Sequence, residues 1–322
     1  MAPFFEVRDL RTHLFTRRGV VKAVDGISFS LERGETLGIV GESGSGKSMT
    51  LLSILGLVPY PAGRIVGGEI RLEGRNLLEL SEADLREVRG QRISMIPQDP
   101  MTSLNPVLRC GDQIMEPLRV HRRLTGPALR ERAAEMLRLV RIPEPLRRLR
   151  SYPHEMSGGM RQRVVGAVVL SCGPDLILAD EPTTALDVTI QAQYLKLLKD
   201  IQAEQNLAMI FVTHDLGIIS RMCDRVAVMY AGRIVEEANT WDLFDRPAHP
   251  YTRALLAAIP RADRDVDRLQ AIEGQPPELH NLPPGCPFAP RCLLATDRCR
   301  EEFPPEVIVG AGHRASCWEV GR

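Results

Sequence analysis

The chain has 322 residues, 44% hydrophobic and 25% charged, proportions that exclude disordered and fibrous classes and suit about two domains. With 41 Lys and Arg against 41 Asp and Glu the formal net charge is zero, which argues against a general nucleic-acid binder. The longest apolar runs are broken by Pro59 and by Pro174-Asp175, short of the roughly 20 residues that cross a bilayer, and Met1 to Glu6 lacks the build of a signal peptide, so a cytosolic protein is expected.

Short strands are predicted first, at Phe5-Val7 and at Ile27-Leu31, with Arg33-Gly34 as a turn. Thr36-Leu37-Gly38-Ile39-Val40 reads as a buried parallel strand. A glycine-rich loop follows, then a helix over Met49 to Leu57 stopped by Pro59, a hairpin arm over Ile65 to Leu72, and a helix start with Ser81 as N-cap and Asp84 at the third position. From Asn105 to about Arg163 the pattern is helical, with Leu129, Ala133, Met136, Leu137 and Val140 at helical spacing. Ten arginines lie between Leu118 and Arg150, either a solvated helix face or a surface near anionic headgroups. Further buried strands are predicted at Leu176-Ala179, Leu207-Val212 and Arg225-Met229, with helical stretches between, which is the rhythm of an α/β parallel sheet. No internal repeat is present. After about Pro247 proline becomes frequent and the rhythm is lost, which places a boundary there.

Gly41-Glu42-Ser43-Gly44-Ser45-Gly46-Lys47-Ser48 fits the phosphate-binding pattern G-x-x-x-x-G-K-[ST], after a strand and before a helix. Backbone N–H groups at Gly41, Ser43, Gly44 and Gly46 would face phosphate oxygens at the helix N-terminus, Lys47 would reach the β- and γ-phosphates, and Ser48 would offer a hydroxyl to Mg²⁺. Leu176-Ile177-Leu178-Ala179-Asp180-Glu181 supplies the acidic partner: Asp180 to hold Mg²⁺, Glu181 to polarise the attacking water.

Five motifs in order then carry a resemblance. Gln98 after Met95-Ile96-Pro97 looks like a Q-loop, and Ser157-Gly158-Gly159-Met160-Arg161-Gln162-Arg163 resembles the signature motif of ABC-transporter ATPases. Thr184-Ala185-Leu186-Asp187 looks like a D-loop, and Val212-Thr213-His214-Asp215 like the switch histidine. Together with Pro97-Gln98-Asp99-Pro100 and the tail Pro284-Gly285-Cys286-Pro287-Phe288-Ala289-Pro290-Arg291-Cys292, they resemble the ATPases of bacterial dipeptide/oligopeptide and nickel importers over nearly the whole chain. Met160 stands where the usual ABC signature has Gln, and is at home in the peptide branch.

The resemblance implies an α/β fold: an ABC-type P-loop ATPase core with a parallel sheet flanked by helices, an antiparallel β subdomain and a helical subdomain at about 101–165, all within 1–249. A small Cys-rich extension would occupy 250–322, beginning with a short helix at Pro250-Leu256. It also implies that two ATPase units meet head to tail, Ser157, Gly158 and Gly159 of one covering the γ-phosphate bound by the other. His214 would contact the γ-phosphate, Gln98 would sense Mg²⁺ and the water, Asp187 would cross the interface, Met49 would line the nucleotide, and Phe15 would stack on adenine with Val24 on the other edge. The implied partners are a second ABC ATPase subunit, commonly a paralogue, two transmembrane permease subunits and an extracytoplasmic solute-binding protein, and no nucleic acid. The subunit would be peripheral on the cytoplasmic face of the bacterial inner membrane. The alternative class, a soluble ABC ATPase acting on nucleic acid or ribosomes, usually joins two ATPase units or inserts long coiled coils, and neither is present here.

Of the seven cysteines, Cys286, Cys292, Cys299 and Cys317 crowd the last stretch. In a cytosolic chain a metal site explains such crowding better than disulfides. The spacing is not the tight C-x-x-C of a zinc finger. The resemblance implies a [4Fe-4S] cluster on these four thiolates; a Zn²⁺ site, with His313 in place of one thiol, and four unligated thiols are the alternatives.

Overall fold

A computed structural model describes residues 3–99, 103–184, 186–259 and 271–320. Pro100 and Ala185, quoted in two of the motifs above, lie outside the described residues. The chain divides into two compact units. The first takes the described residues of Met1–Leu31, Thr36–Leu78 and Val212–Arg322, the second those of Glu32–Glu35 and Glu79–Phe211.

In the first unit, β1 (Phe5–Thr16), β2 (Gly19–Leu31), β4 (Gly63–Leu72) and β5 (Arg75–Asn76) form an antiparallel sheet in the order β2-β1-β4-β5. β1 and β2 are far longer than the short strands expected. Their register shifts between Val7 and Leu10, and again between Thr12 and Leu14, and each bulge interrupts the alternation that marks a strand in sequence. A second set of strands runs β11 (Glu306–Gly310), β12 (His313–Ser316), β10 (Arg233–Asn239), β9 (Arg225–Tyr230), β3 (Thr36–Val40), with β3 parallel to β9 and the other pairs antiparallel. All five residues of β3 are buried. At Gly38 a Cβ would lie 2.7 Å from Ile219 Cδ1 and 2.9 Å from Cys223 Sγ, so only glycine lets the helix Leu216–Met222 sit this close.

The hairpin β11–β12 was not expected from the proline-rich tail. It is drawn in by two carboxylates on β10, Glu236 and Glu237, which are 1% and 2% exposed. Glu236 accepts the backbone N–H groups of Ala248 (2.6 Å) and His249 (2.9 Å) and faces His313 Nε2 at 2.8 Å. Glu237 is paired with Arg314 at 2.6 Å and with Arg225. Buried carboxylates are tolerated only when satisfied in this way.

The second unit carries β6 (Ile93–Ile96) parallel to β7 (Leu176–Asp180), followed in the sheet by β8 (Ala208–Val212). Ser81 caps the helix Glu82–Val88 as predicted, its hydroxyl accepting from Asp84 N at 3.2 Å. The helical stretch resolves into Cys110–Arg122, Gly126–Leu139, Pro145–Arg148 and Gly158–Leu170. Its apolar positions Leu129, Ala133, Met136, Leu137 and Val140 are all buried. The arginines form exposed pairs, Arg132–Glu135, Arg138–Glu131, Arg141–Asp200 and Arg147–Glu144, in keeping with a solvated face. No described helix is long and apolar enough to cross a membrane.

Candidate functional site

The loop Gly41–Gly46 links β3 to the helix Lys47–Ile54. Gly41 and Gly46 make its tight path possible: a Cβ would lie 2.1 Å from the Met229 carbonyl oxygen at Gly41, and 2.2 Å from that of Ala23 at Gly46, where φ is +106°. Cross-bonds hold the curve, with Ser45 N donating to Glu42 O (3.2 Å) and Gly232 N to Ser45 O (2.9 Å). Lys47 is only 6% exposed, and its Nζ donates to the carbonyls of Gly41 (2.8 Å) and Glu42 (3.0 Å), so the amine is folded back over the loop. The Ser45 hydroxyl is buried beside it with no partner among the described residues. Ser43, Gly44 and Ser48 are exposed and Met49 half-buried. An exposed glycine turn, a poised amine and the N-terminus of a helix suit a polyphosphate. His214 also lies in this unit; it is exposed, not a core histidine, and precedes the helix Leu216–Met222, whose N-cap Asp215 accepts from Gly217 N at 2.7 Å.

In the second unit β7 ends on Asp180, 5% exposed, and Glu181 follows with φ +44°, a strained turn for a non-glycine residue. Glu181 Oε2 accepts from Thr184 Oγ1 at 2.9 Å and from Gln98 Nε2 at 3.4 Å. Two polar side chains thus meet at one carboxylate oxygen. Sequence reasoning overlooked Thr184 as an orienting group, and likewise Gln162, fully buried, whose Nε2 donates to Pro182 O at 2.7 Å and ties the Gly158–Leu170 helix to this turn. Ser157 is that helix's exposed N-cap, accepting from Met160 N at 3.4 Å; Asp187 is the exposed N-cap of Val188–Gln205, accepting from Ile190 N at 3.0 Å. At Gly159 a Cβ would strike Ile190 Cγ2 at 2.5 Å, so the two helix starts sit in close register.

Phe15 is 44% exposed, with the Arg64 guanidinium 5.3 Å from its ring centre. Val24 is wholly buried and offers an adenine ring no surface.

The metal expectation for the tail is overturned. Cys286, Cys292, Cys299 and Cys317 do line one cavity, with His249, Phe288 and Trp318, but its volume is about 20 Å³, room for about one water. Burial pushes the Cys286 thiol up to about 11 and raises those of Cys292 and Cys317, so in the fold alone these thiols stay protonated. Among the described residues no group of three or more His, Cys, Asp or Glu side chains is arranged to hold a metal ion, and neither an iron–sulfur cluster nor zinc is supported. His313, the suggested substitute ligand, is committed to Glu236.

Comparison with known proteins fits the geometry. The family model described as ABC transporter matches residues 24–184, and that described as oligopeptide/dipeptide transporter, C-terminal region, matches 235–299. The chain is 55% identical to the probable peptide ABC transporter ATP-binding protein y4tR of Sinorhizobium fredii, over 97% of this chain and 94% of the relative. It is 49% identical to the oligopeptide transport ATP-binding protein AppD of Bacillus subtilis, over 99% of this chain and 97% of the relative. Among solved structures, the dimeric bacterial ABC transporter cassette MJ0796 superposes with a TM-score of 0.66 at 28% identity, over 73% of this chain and 98% of that one. With a P-loop, an acidic strand end and this match, the chain belongs to the ABC transporter family and has the α/β cassette fold. Within that family it is an ABC ATPase of the oligopeptide/dipeptide transport type.

Proposed function

We propose that the chain is the ATP-hydrolysing subunit of a bacterial peptide-type ABC importer. The observation that carries this reading is the Lys47 amine poised on the loop carbonyls, in a chain that is 49–55% identical to peptide-transport ATP-binding proteins; within the second unit, the Glu181 carboxylate held by Gln98 and Thr184 supports it. In this reading the N–H groups of Gly41, Ser43, Gly44 and Gly46 and the Lys47 amine bind the β- and γ-phosphates, with Met49 beside them and Phe15 on the adenine. Ser48 on the loop, and Gln98 and Asp180 in the second unit, are each assigned to Mg²⁺, which would supply neutralising charge at those phosphates. Glu181 orients and deprotonates the attacking water, and His214 holds the γ-phosphate.

The exposed N-terminus of the Gly158–Leu170 helix supports a head-to-tail dimer in which Ser157, Gly158 and Gly159 cover the nucleotide of a second ATPase subunit and Asp187 touches its loop. ATP then joins the two subunits and hydrolysis parts them, moving two attached permease subunits between states. An extracytoplasmic binding protein would deliver the peptide, and the subunit would sit peripherally on the cytoplasmic membrane face. We assign residues 1–249 to the ATPase and 250–322 to an extension whose four cysteines line a small cavity. Co-expression with the membrane subunits, reconstitution in vesicles and measurement of ATP turnover test this. Peptide-loaded binding protein should raise turnover; turnover that ignores the loaded protein rejects the importer assignment.

A further inference from the structure

Arg291 lies 249 residues from Glu42 in sequence, yet its side chain, 4% exposed, ends on the P-loop. Nη1 donates to Glu42 Oε2 at 2.6 Å and to the Tyr230 hydroxyl at 3.2 Å. Nη2 donates to Glu42 Oε1 at 3.0 Å and to Ile272 O at 3.3 Å, and Nε donates to Glu273 O at 3.0 Å. A guanidinium has five N–H donors, and here each of five acceptors takes one, so this buried ion pair is fully satisfied. The aromatic rings of Tyr230, Tyr251 and Phe288 pack around it, with centroids 4.5–5.4 Å apart.

Glu42 is the residue after Gly41, and none of its polar groups is left loose. Its carboxylate is gripped by Arg291, its N–H donates to Tyr251 OH at 2.9 Å, and its carbonyl receives Lys47 Nζ at 3.0 Å. Two of these three partners belong to the segment after His249, and the third is the amine that must meet the phosphates. With its N–H and its carboxylate both held, the Glu42 residue is fixed at its Cα, and its carbonyl, which also accepts from Ser45 N at 3.2 Å, has little freedom to swing away from that amine.

We infer that Arg291 is a positioning residue for the P-loop: the C-terminal segment holds Glu42, and through the Glu42 carbonyl it sets where the Lys47 amine waits for the triphosphate. This rests on the reading of the loop as the ATP cradle and extends it to a control point outside the ATPase motifs. The segment's docked state and the loop's affinity for ATP are then one equilibrium seen at two places.

The test uses the full chain with R291M, E42Q and the double variant, reading ATP dissociation constant, KM, kcat and melting temperature. Each single change should raise the ATP dissociation constant and KM about tenfold, with kcat at saturating ATP within about threefold. The double variant should lose no more than the worse single one, because both break the same link. Independent, additive losses would overturn the inference, as would singles that lower the melting temperature or kcat while ATP affinity stays at the wild-type value. Should R291M not fold, E42Q with Y251F carries the test, since both leave Arg291 its carbonyl contacts; unchanged affinity in both rejects the link. K47A separates the two levels: wild-type ATP affinity in K47A defeats the cradle reading itself, whereas loss in K47A with none in R291M and E42Q defeats only the role of Arg291.

Discussion

His249 Nδ1 accepts the backbone N–H of Tyr251 at 3.0 Å, which caps the helix Pro250–Ala257 and leaves the ring's proton on Nε2, buried without a partner among the described residues. Burial, with the Arg253 charge adding, pushes this imidazole down to about 3. The ring is therefore neutral in the fold at every ordinary pH, while the unfolded chain binds its proton below about 6.5. Because the unfolded state holds more protons between the two values, stability rises with pH through that window and is lost as pH falls below the unfolded value. Between pH 7.5 and 5.5 this one group should cost about 1.4 kcal/mol. Asn keeps a capping oxygen and does not titrate, so urea midpoints of H249N should show a shallower acid slope than wild type; parallel slopes would contradict the assignment.

Glu181→Gln keeps the side chain's shape and its hydrogen bonds but removes the base. ATP binding should persist while turnover falls about 10²–10⁴-fold, as seen by comparing nucleotide affinity with steady-state phosphate release. Near-normal hydrolysis would remove Glu181 from its role.

Thr184→Val deletes the hydroxyl that donates to Glu181 Oε2 at 2.9 Å. With that oxygen less constrained, kcat should drop about 3- to 30-fold, far less than in E181Q, and KM should hold. A KM effect without a kcat effect would mean that Thr184 serves the nucleotide rather than the carboxylate.

Lys47→Ala removes a charge that would bond phosphate oxygens directly. Charge-assisted bonds of this kind contribute about 1.5–3 kcal/mol, so ATP affinity should weaken about 10- to 150-fold, measurable by calorimetry on the purified chain.

Gly46→Ala tests the loop's tightness without touching a ligand group. Its Cβ would meet the Ala23 carbonyl oxygen at 2.2 Å from a φ of +106°. Loss of about 2–4 kcal/mol in denaturant unfolding is expected. Wild-type stability would show that the loop relaxes around the added carbon.

Much of the site was legible in the chain because its parts are local. The P-loop, Asp180-Glu181 and the Ser157 and Asp187 caps each draw their geometry from a handful of neighbours. The parts missed depend on distance or on irregularity. The bulges in β1 conceal a strand of 12 residues, and Arg291 and Glu42 meet across a separation no pattern spans. Glu306-Val307-Ile308-Val309 before a glycine turn was a readable hairpin signal masked by the surrounding prolines. The cysteines mislead in another way: their crowding is real, but burial in a small apolar cavity favours protonated thiols, and spacing carries no record of that.

The acid pair on β10 also has a temporal meaning. His313 and Arg314 each lie 77 residues downstream of the carboxylate they face. During translation Glu237 leaves the exit tunnel after Arg225, and the N–H groups of Ala248 and His249 follow Glu236 closely, but His313 and Arg314 come only 77 residues later, and a buried carboxylate short of its partners is costly. The edge strand β10 therefore has its full set of partners only once the hairpin has been made.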